Sequence, residues 1–253
     1  MAKVKPSLIE YSGAVGREIH YTRFGRTYSR QLPAEYNDRK SEAQLRQRAL
    51  FKARQKASAL FGIILQRGLT KEAHSEGLTE ANYFSRLNKD CFVYEDGVVH
   101  INYPALLVAQ GPLPVVDITR CHADGLHVEL TFQPRLEESK ASLDDVVHIY
   151  AVGPKVEICQ LVASVWRQDG QASFNLPDLS EETDAAKHNS SLRAPQELVS
   201  YYLYAIVESA PTAGTPTLSA AEKQQDKKHR NINRRVSRSV FIGVVTMNSN
   251  SET

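Results

Sequence analysis

The sequence predicts an α+β fold, and three observations predict it. Apolar residues recur at helical spacing between Ser41 and about Gln66. From Cys91 onward, short alternating runs bounded by turn residues replace that period. Of 253 residues, 42% are hydrophobic and 24% charged, so a packed core is expected and wholesale disorder is not.

The first element is a strand pair over 13–31. Ile19, Tyr21 and Arg23 alternate with His20 and Thr22. Gly25 interrupts the run, Thr27, Tyr28 and Ser29 resume it, and Pro33 ends it. Gly13 and Gly16 suit a bend or a close backbone approach. Their spacing is too short for a phosphate loop, and no Lys-Ser/Thr pair follows. Ser41 then opens a helix, with Gln44 completing a capping box. Leu45, Ala49, Ala53, Ala57, Leu60, Phe61, Ile64 and Leu65 place its apolar stripe, and Gly68 stops it near Gln66. Thr79 starts a second, shorter helix over about 80–89, with Leu78 and Tyr83 at hydrophobic-staple positions.

Strands follow. Residues 92–94 and 98–103 flank the turn Glu95-Asp96-Gly97. Gly111-Pro112-Leu113-Pro114 reads as a linker. Seven more strands are expected at 115–121, 126–132, 145–152, 157–166, 171–176, 198–207 and 238–246. Asp124-Gly125 and Asp169-Gly170 are the hairpin turns between their neighbours. This spacing suggests an immunoglobulin-like or fibronectin-like β-sandwich, with Trp166 in its core. The chain therefore divides into a hairpin-plus-helix region, 1–111, and a sandwich domain, 112–253, carrying long loops at 178–197 and 209–237.

Charge is unevenly distributed. Residues 1–70 carry 14 Lys/Arg against 5 Asp/Glu, and residues 71–221 carry 10 against 21. Residues 222–239 are basic again, with 7 against 2. Basic ends attract a polyanion, or the acidic middle of a neighbouring copy. The first residues hold no apolar signal-like stretch and no window suits a membrane span, so no membrane partner and a cytoplasmic location are expected. Cys91, Cys121 and Cys159 are far apart, with no CxxC pair, and read as reduced, buried thiols.

Few residues suggest chemistry. The eight histidines show no metal-ligand spacing; Cys121, His122 and His127 around one turn form at most a partial metal site. The pairs Glu137-Glu138, Asp144-Asp145 and Glu181-Glu182 are sequence neighbours, expected on opposite strand faces or in solvent. No Gly-x-Ser-x-Gly elbow occurs. No catalytic residue, metal or cofactor is expected, and the chain is read as a non-enzyme. Arg17, Arg23, Arg26 and Arg30 interleave with Tyr21, Phe24 and Tyr28, combining backbone-neutralising charge with stacking surfaces. Arg48 and Lys52 extend that basic character along the first helix. These residues are the candidate surface for a protein partner, for self-association, or for nucleic acid.

The run Gly13–Phe51 also resembles an uncharacterised family common in Bacteroidota. Gly13, Val15 and Gly16, then Tyr21 and Gly25, Arg30 and Pro33, and finally Ser41-Glu42-Ala43-Gln44, Arg48 and Phe51 carry the resemblance. His20 and Arg23 depart from its pattern. The resemblance implies fold kinship over about forty residues and no catalytic residues. The expectation is a structural or protein-interaction protein, an assembly component of phage origin, with nucleic-acid binding as the alternative.

Overall fold

Two apolar runs, Val146–Gly153 and Val199–Glu208, are buried along nearly their whole length. Strands of this kind have both faces covered, and these two lie side by side at the centre of the molecule. The computed structural model describes residues 2–3, 13–23, 26–33, 38–135, 140–177, 199–209 and 235–247. It is a mixed α+β, β-rich chain built mainly of antiparallel sheets.

An N-terminal sheet comprises β1 (Ala2–Lys3), β2 (Gly13–Val15), β3 (Glu18–Arg23) and β4 (Arg26–Gln31), in the order β1-β4-β3-β2. Four helices follow: α1 (Glu42–Leu60), α2 (Gly62–Gly68), α3 (Thr70–Ser75) and α4 (Glu80–Leu87). A hairpin joins β5 (Phe92–Glu95) to β6 (Val98–Ile101), turning at Asp96 and Gly97, both with positive φ. Next come β7 (Asp117–Asp124), β8 (His127–Gln133), β9 (Val146–Gly153), β10 (Ile158–Trp166), β11 (Gln171–Asn175), β12 (Val199–Glu208) and β13 (Val240–Met247). They form a four-stranded sheet, β10-β9-β12-β13, and a three-stranded sheet, β11-β8-β7.

The four-stranded sheet is the middle layer. Tyr150, Val152, Tyr204 and Ile206 pack on the helices, in a core with Phe61, Ile64, Leu65 and Phe84. Val147, Ile149, Leu203 and Val207 face the other way, into a core with Val128, Leu130 and Phe132 of the three-stranded sheet. No described residue of the N-terminal sheet belongs to either core.

The capping box forms as expected: Gln44 N–H donates to Ser41 Oγ, and Ser41 N–H donates to Gln44 Oε1. The expected single helix is instead two, α1 and α2, and α3 follows beyond the expected stop at Gly68. Phe61 interrupts the expected helix, fully buried against Phe84 and Tyr204, and the weak helix former Gly62 follows. Leu45 is exposed because the first turns of α1 project beyond the core, where burial begins at Leu50; Phe51, the next residue, points away from the buried side and is also exposed. The second helix forms at Glu80–Leu87 with Thr79 as its cap, as its apolar spacing predicts.

All seven strands expected after residue 111 form, within about three residues of their predicted ends. Asp169-Gly170 does not join a hairpin, however. It carries the chain from one sheet to the other, and Phe132 N–H donates to Gly170 O where the β8–β11 pairing begins. Trp166 is 47% exposed rather than core; its neighbour Arg167 is the buried residue. Asp145 is likewise buried while its neighbour Asp144 is exposed, so the two point to opposite sides and are not both in solvent. Cys121 is exposed, and Cys91 and Cys159 are partly buried.

The segment expected as a linker is held on both sides. Leu113 N–H donates to Val236 O, and a Cβ on Gly111 would collide with that same carbonyl. Of the long loops, residues 178–198 and 210–234 lie outside the described residues. Among the described residues, no helix is long and apolar enough to cross a membrane.

Candidate functional site: a basic aromatic face

The N-terminal sheet is a meander whose turns and register decide which side chains share a face. Gly16, with φ +60°, supplies the left-handed position of the two-residue turn between β2 and β3. Arg17 sits at its tip, and Leu32 N–H donates to Arg17 O. Between β3 and β4, Ile19 pairs with Arg30, Tyr21 with Tyr28 and Arg23 with Arg26. Directly opposed residues share a face, and strand residues alternate. On the neighbouring strands, Ala14 pairs with Ile19 and Lys3 with Tyr28. One face therefore carries Ile19, Tyr21, Tyr28 and Arg30, and no acidic residue at its described positions.

Tyr21 and Tyr28 stack across the strands, their ring centroids 5.5 Å apart and 20° from parallel. Arg30 is exposed. The acid of this sheet lies on the other face. There Glu18 approaches His20 Nε2 at 3.5 Å and accepts a hydrogen bond from Ser29 Oγ. Thr22 and Thr27 face each other on that same side at 3.2 Å. The sheet is thus two-sided, with Arg30 and the stacked rings on one surface and Glu18, His20 and hydroxyl groups on the other.

The register brings Tyr21, Tyr28 and Arg30 onto one face and pairs the backbone of Arg23 with that of Arg26 at the end of the same two strands. Arg17 is at the opposite end of the hairpin, and Phe24 lies outside the described residues. Arg48 is otherwise employed: its guanidinium grips Asp38 through both terminal nitrogens, at 2.7 and 2.8 Å. That grip holds the Asp38 carboxyl below its ordinary range. Lys52 is exposed on α1. The face can accept phosphate or carboxylate groups, and its paired rings offer a flat surface for stacking.

Two polar clusters escape sequence reasoning. Arg167 is fully buried; it donates to Pro114 O and Pro134 O at 2.6 and 2.7 Å, and its Nε lies 3.2 Å from Asp145 Oδ2. In the second, Glu208 Oε2 lies 3.3 Å from both Arg67 Nε and His148 Nε2, and His148 Nδ1 meets Ser164 Oγ at 2.8 Å. Arg67 also donates to the Tyr150 hydroxyl, whose pKa burial pushes up. The available signal was a lone His148 and a lone Glu208 inside otherwise apolar strands. Such residues must find partners across the layers.

Around the Asp124-Gly125 turn, His127 engages Asn175 and Ser173 with its two ring nitrogens. His122 pairs with Glu129 and Cys121 with Leu130, which puts those two neighbours on opposite faces. Among the described residues no three His, Cys, Asp or Glu side chains gather as a metal site. An open cavity of about 350 Å³ lies beside α1, lined by Leu60, Ile101, Tyr103 and Pro154, with the Lys56–Glu157 ion pair at 2.6 Å beside it. Comparison of the chain with family models, curated proteins and solved structures finds no match.

Proposed function

We propose that the protein is a non-catalytic interaction and assembly component, which docks through the basic aromatic face of its N-terminal sheet onto an acidic protein surface. The observation that carries this reading is the two-sidedness of a sheet none of whose described residues belongs to either core. Such a sheet, with Arg30 and the stacked tyrosines on one face and Glu18 on the other, suits recognition. The acidic partner surface is available within a second copy, since residues 71–221 carry 21 acidic against 10 basic residues. Complementary charge of this kind sets register and encounter rate. Under this reading the two packed sheets form an immunoglobulin-like or fibronectin-like module, and the protein acts in the cytoplasm. The fold kinship with the Bacteroidota family and the phage origin belong to the same reading.

Nucleic acid is the second reading, favoured by the stacked Tyr21–Tyr28 pair beside Arg30. One experiment tests both. Self-association by light scattering and binding of a labelled single strand are measured at low and high salt, for the wild type and for Arg30→Glu with Tyr21→Ala. Loss of low-salt self-association in the variant, with no strand binding by the wild type, supports protein docking. Strand binding lost in the variant, with a flatter salt slope, supports nucleic acid.

A further inference from the structure

Among the described residues, the four-stranded sheet ends in two unpaired edges: β10 pairs only with β9, and β13 only with β12. Neither edge strand contains a single charged residue: β10 reads Ile-Cys-Gln-Leu-Val-Ala-Ser-Val-Trp and β13 reads Val-Phe-Ile-Gly-Val-Val-Thr-Met. Exposed edges normally carry Lys, Pro or inward-pointing charge to prevent pairing with another chain. Here they carry exposed apolar residues instead, Leu161 and Trp166 on one edge and Val244 on the other.

We propose that copies of this chain join edge to edge, β13 of one against β10 of the next, extending the middle sheet through the assembly. The proposal rests on the self-association half of the reading above. Three features make a second copy the occupant. Every pair in this sheet is antiparallel, and it has four strands. Its two edges therefore run in opposite directions, and a copy placed beside another in the same orientation meets it antiparallel. The exposed residues also share a face. Leu161 pairs with Tyr150, Trp166 with Val146 and Val244 with Tyr202, all on the helix side. Finally, the rows line up. Phe241, Tyr204, Tyr150 and Leu161 form one row, and Val244, Tyr202, Val152 and Cys159 the next. Without any shift along the strands, Phe241 of one copy opposes Leu161 of the next, and Val244 opposes Cys159. Apolar cross-strand pairs of this type are the stabilising unit of a sheet. Because the two edges differ, the contact is head-to-tail and open-ended.

The test uses the full chain in 1 M salt, where the screening length is about 3 Å and docking by surface charge is suppressed. Leu161→Lys blocks one edge and Val244→Lys the other; both sites are exposed, and circular dichroism checks that the fold is kept. By sedimentation, the wild type is expected to gain mass with concentration, about twofold or more. Each variant alone is expected to stay a single chain. An equimolar mixture of the two is expected to form pairs and nothing larger, since each retains the edge the other lacks. Recovery in the mixture also shows that neither variant is merely unfolded. Arg30→Glu is expected to assemble like the wild type in this salt, so that failure of the docking reading leaves this result standing. A wild type that stays a single chain at every concentration overturns the proposal. So does a mixture that fails to pair, or assembly blocked by one edge variant and untouched by the other.

Discussion

Arg167 and Asp145 form a fully buried ion pair that ties together three separate stretches of chain. The Arg167 guanidinium lies against Asp145 Oδ2 and donates to the carbonyls of Pro114 and Pro134, while Arg167 N–H donates to Asp145 O. Asp145 in turn accepts from Ser142 N–H. A buried charge is tolerated only when paired and hydrogen-bonded. Removing one partner leaves the other desolvated and alone. Arg167→Ala or Asp145→Ala is expected to cost about 3–5 kcal/mol of stability, read from the urea midpoint. A loss below about 1 kcal/mol, the range of exposed pairs, would show that water reaches the site.

The helix-side core predicts the behaviour of a fragment of residues 112–253. That fragment keeps Tyr150, Val152, Tyr204 and Ile206 but loses the Phe61, Ile64, Leu65 and Phe84 that cover them. A bare apolar face of this kind drives association. The fragment is expected to be insoluble, or to form aggregates that bind a hydrophobic dye. A monomeric, cooperatively unfolding, β-rich fragment would show that the sequence boundary at Gly111 is also a folding boundary.

The legible parts of the fold were those set by local rules. The Ser41–Gln44 box, the Asp96-Gly97 turn and the alternation along β8 and β11 depend on neighbours in sequence, and each formed where expected. The break at Phe61 was hidden, because the helical spacing continues through it and only packing on Tyr204 selects the bend. Trp166 left its expected core position to its neighbour Arg167 for a similar reason. Hydrophobicity favours burying the tryptophan, but the sheet-to-sheet crossing places its successor among carbonyls that only a long cationic side chain can satisfy. At the candidate site, the alternation along 19–23 was readable, and the cross-strand register, which pairs Ile19 with Arg30 and Tyr21 with Tyr28, was not. That Arg48 is committed to Asp38 was not, because those residues meet through the loop geometry before α1.

Burial sets the alkaline behaviour of the protein. The Cys159 thiol is pushed up to about 12 from an ordinary 9.0 by desolvation. The folded state therefore holds this proton more tightly than the unfolded chain. The stabilisation is fully present below pH 9.0 and is lost as pH rises toward about 12. Burial pushes the Tyr204 phenol in the same direction. Stability is expected to fall by about 1.4 kcal/mol per pH unit for each such group inside its window. Replacing Cys159 with Ala should flatten that slope. At pH 8, Cys159 is expected to react with a thiol reagent about a thousandfold more slowly in the folded than in the unfolded protein, and exposed Cys121 to react first. Equal rates for Cys159 in both states would refute the desolvation.

The Ser164–His148–Glu208 row has the order and spacing of a nucleophile, a base and an orienting carboxylate. Its electrostatics differ from those of a hydrolytic site. Such a carboxylate must be free to stabilise the imidazolium that forms when the base takes a proton. Here Arg67 stands 3.3 Å from the same Glu208 oxygen that faces His148, and so offsets that charge. The row instead links α2 to three strands. A fluorophosphonate probe is expected to leave Ser164 unlabelled at neutral pH. Ser164→Ala is expected to shift the urea midpoint only slightly, by about 0.5–1.5 kcal/mol for one hydrogen bond. Arg67→Ala is expected to cost more, because it takes the guanidinium away from nearly buried Glu208. Covalent labelling of Ser164 that disappears in His148→Ala would overturn the non-catalytic reading and make this row the active site.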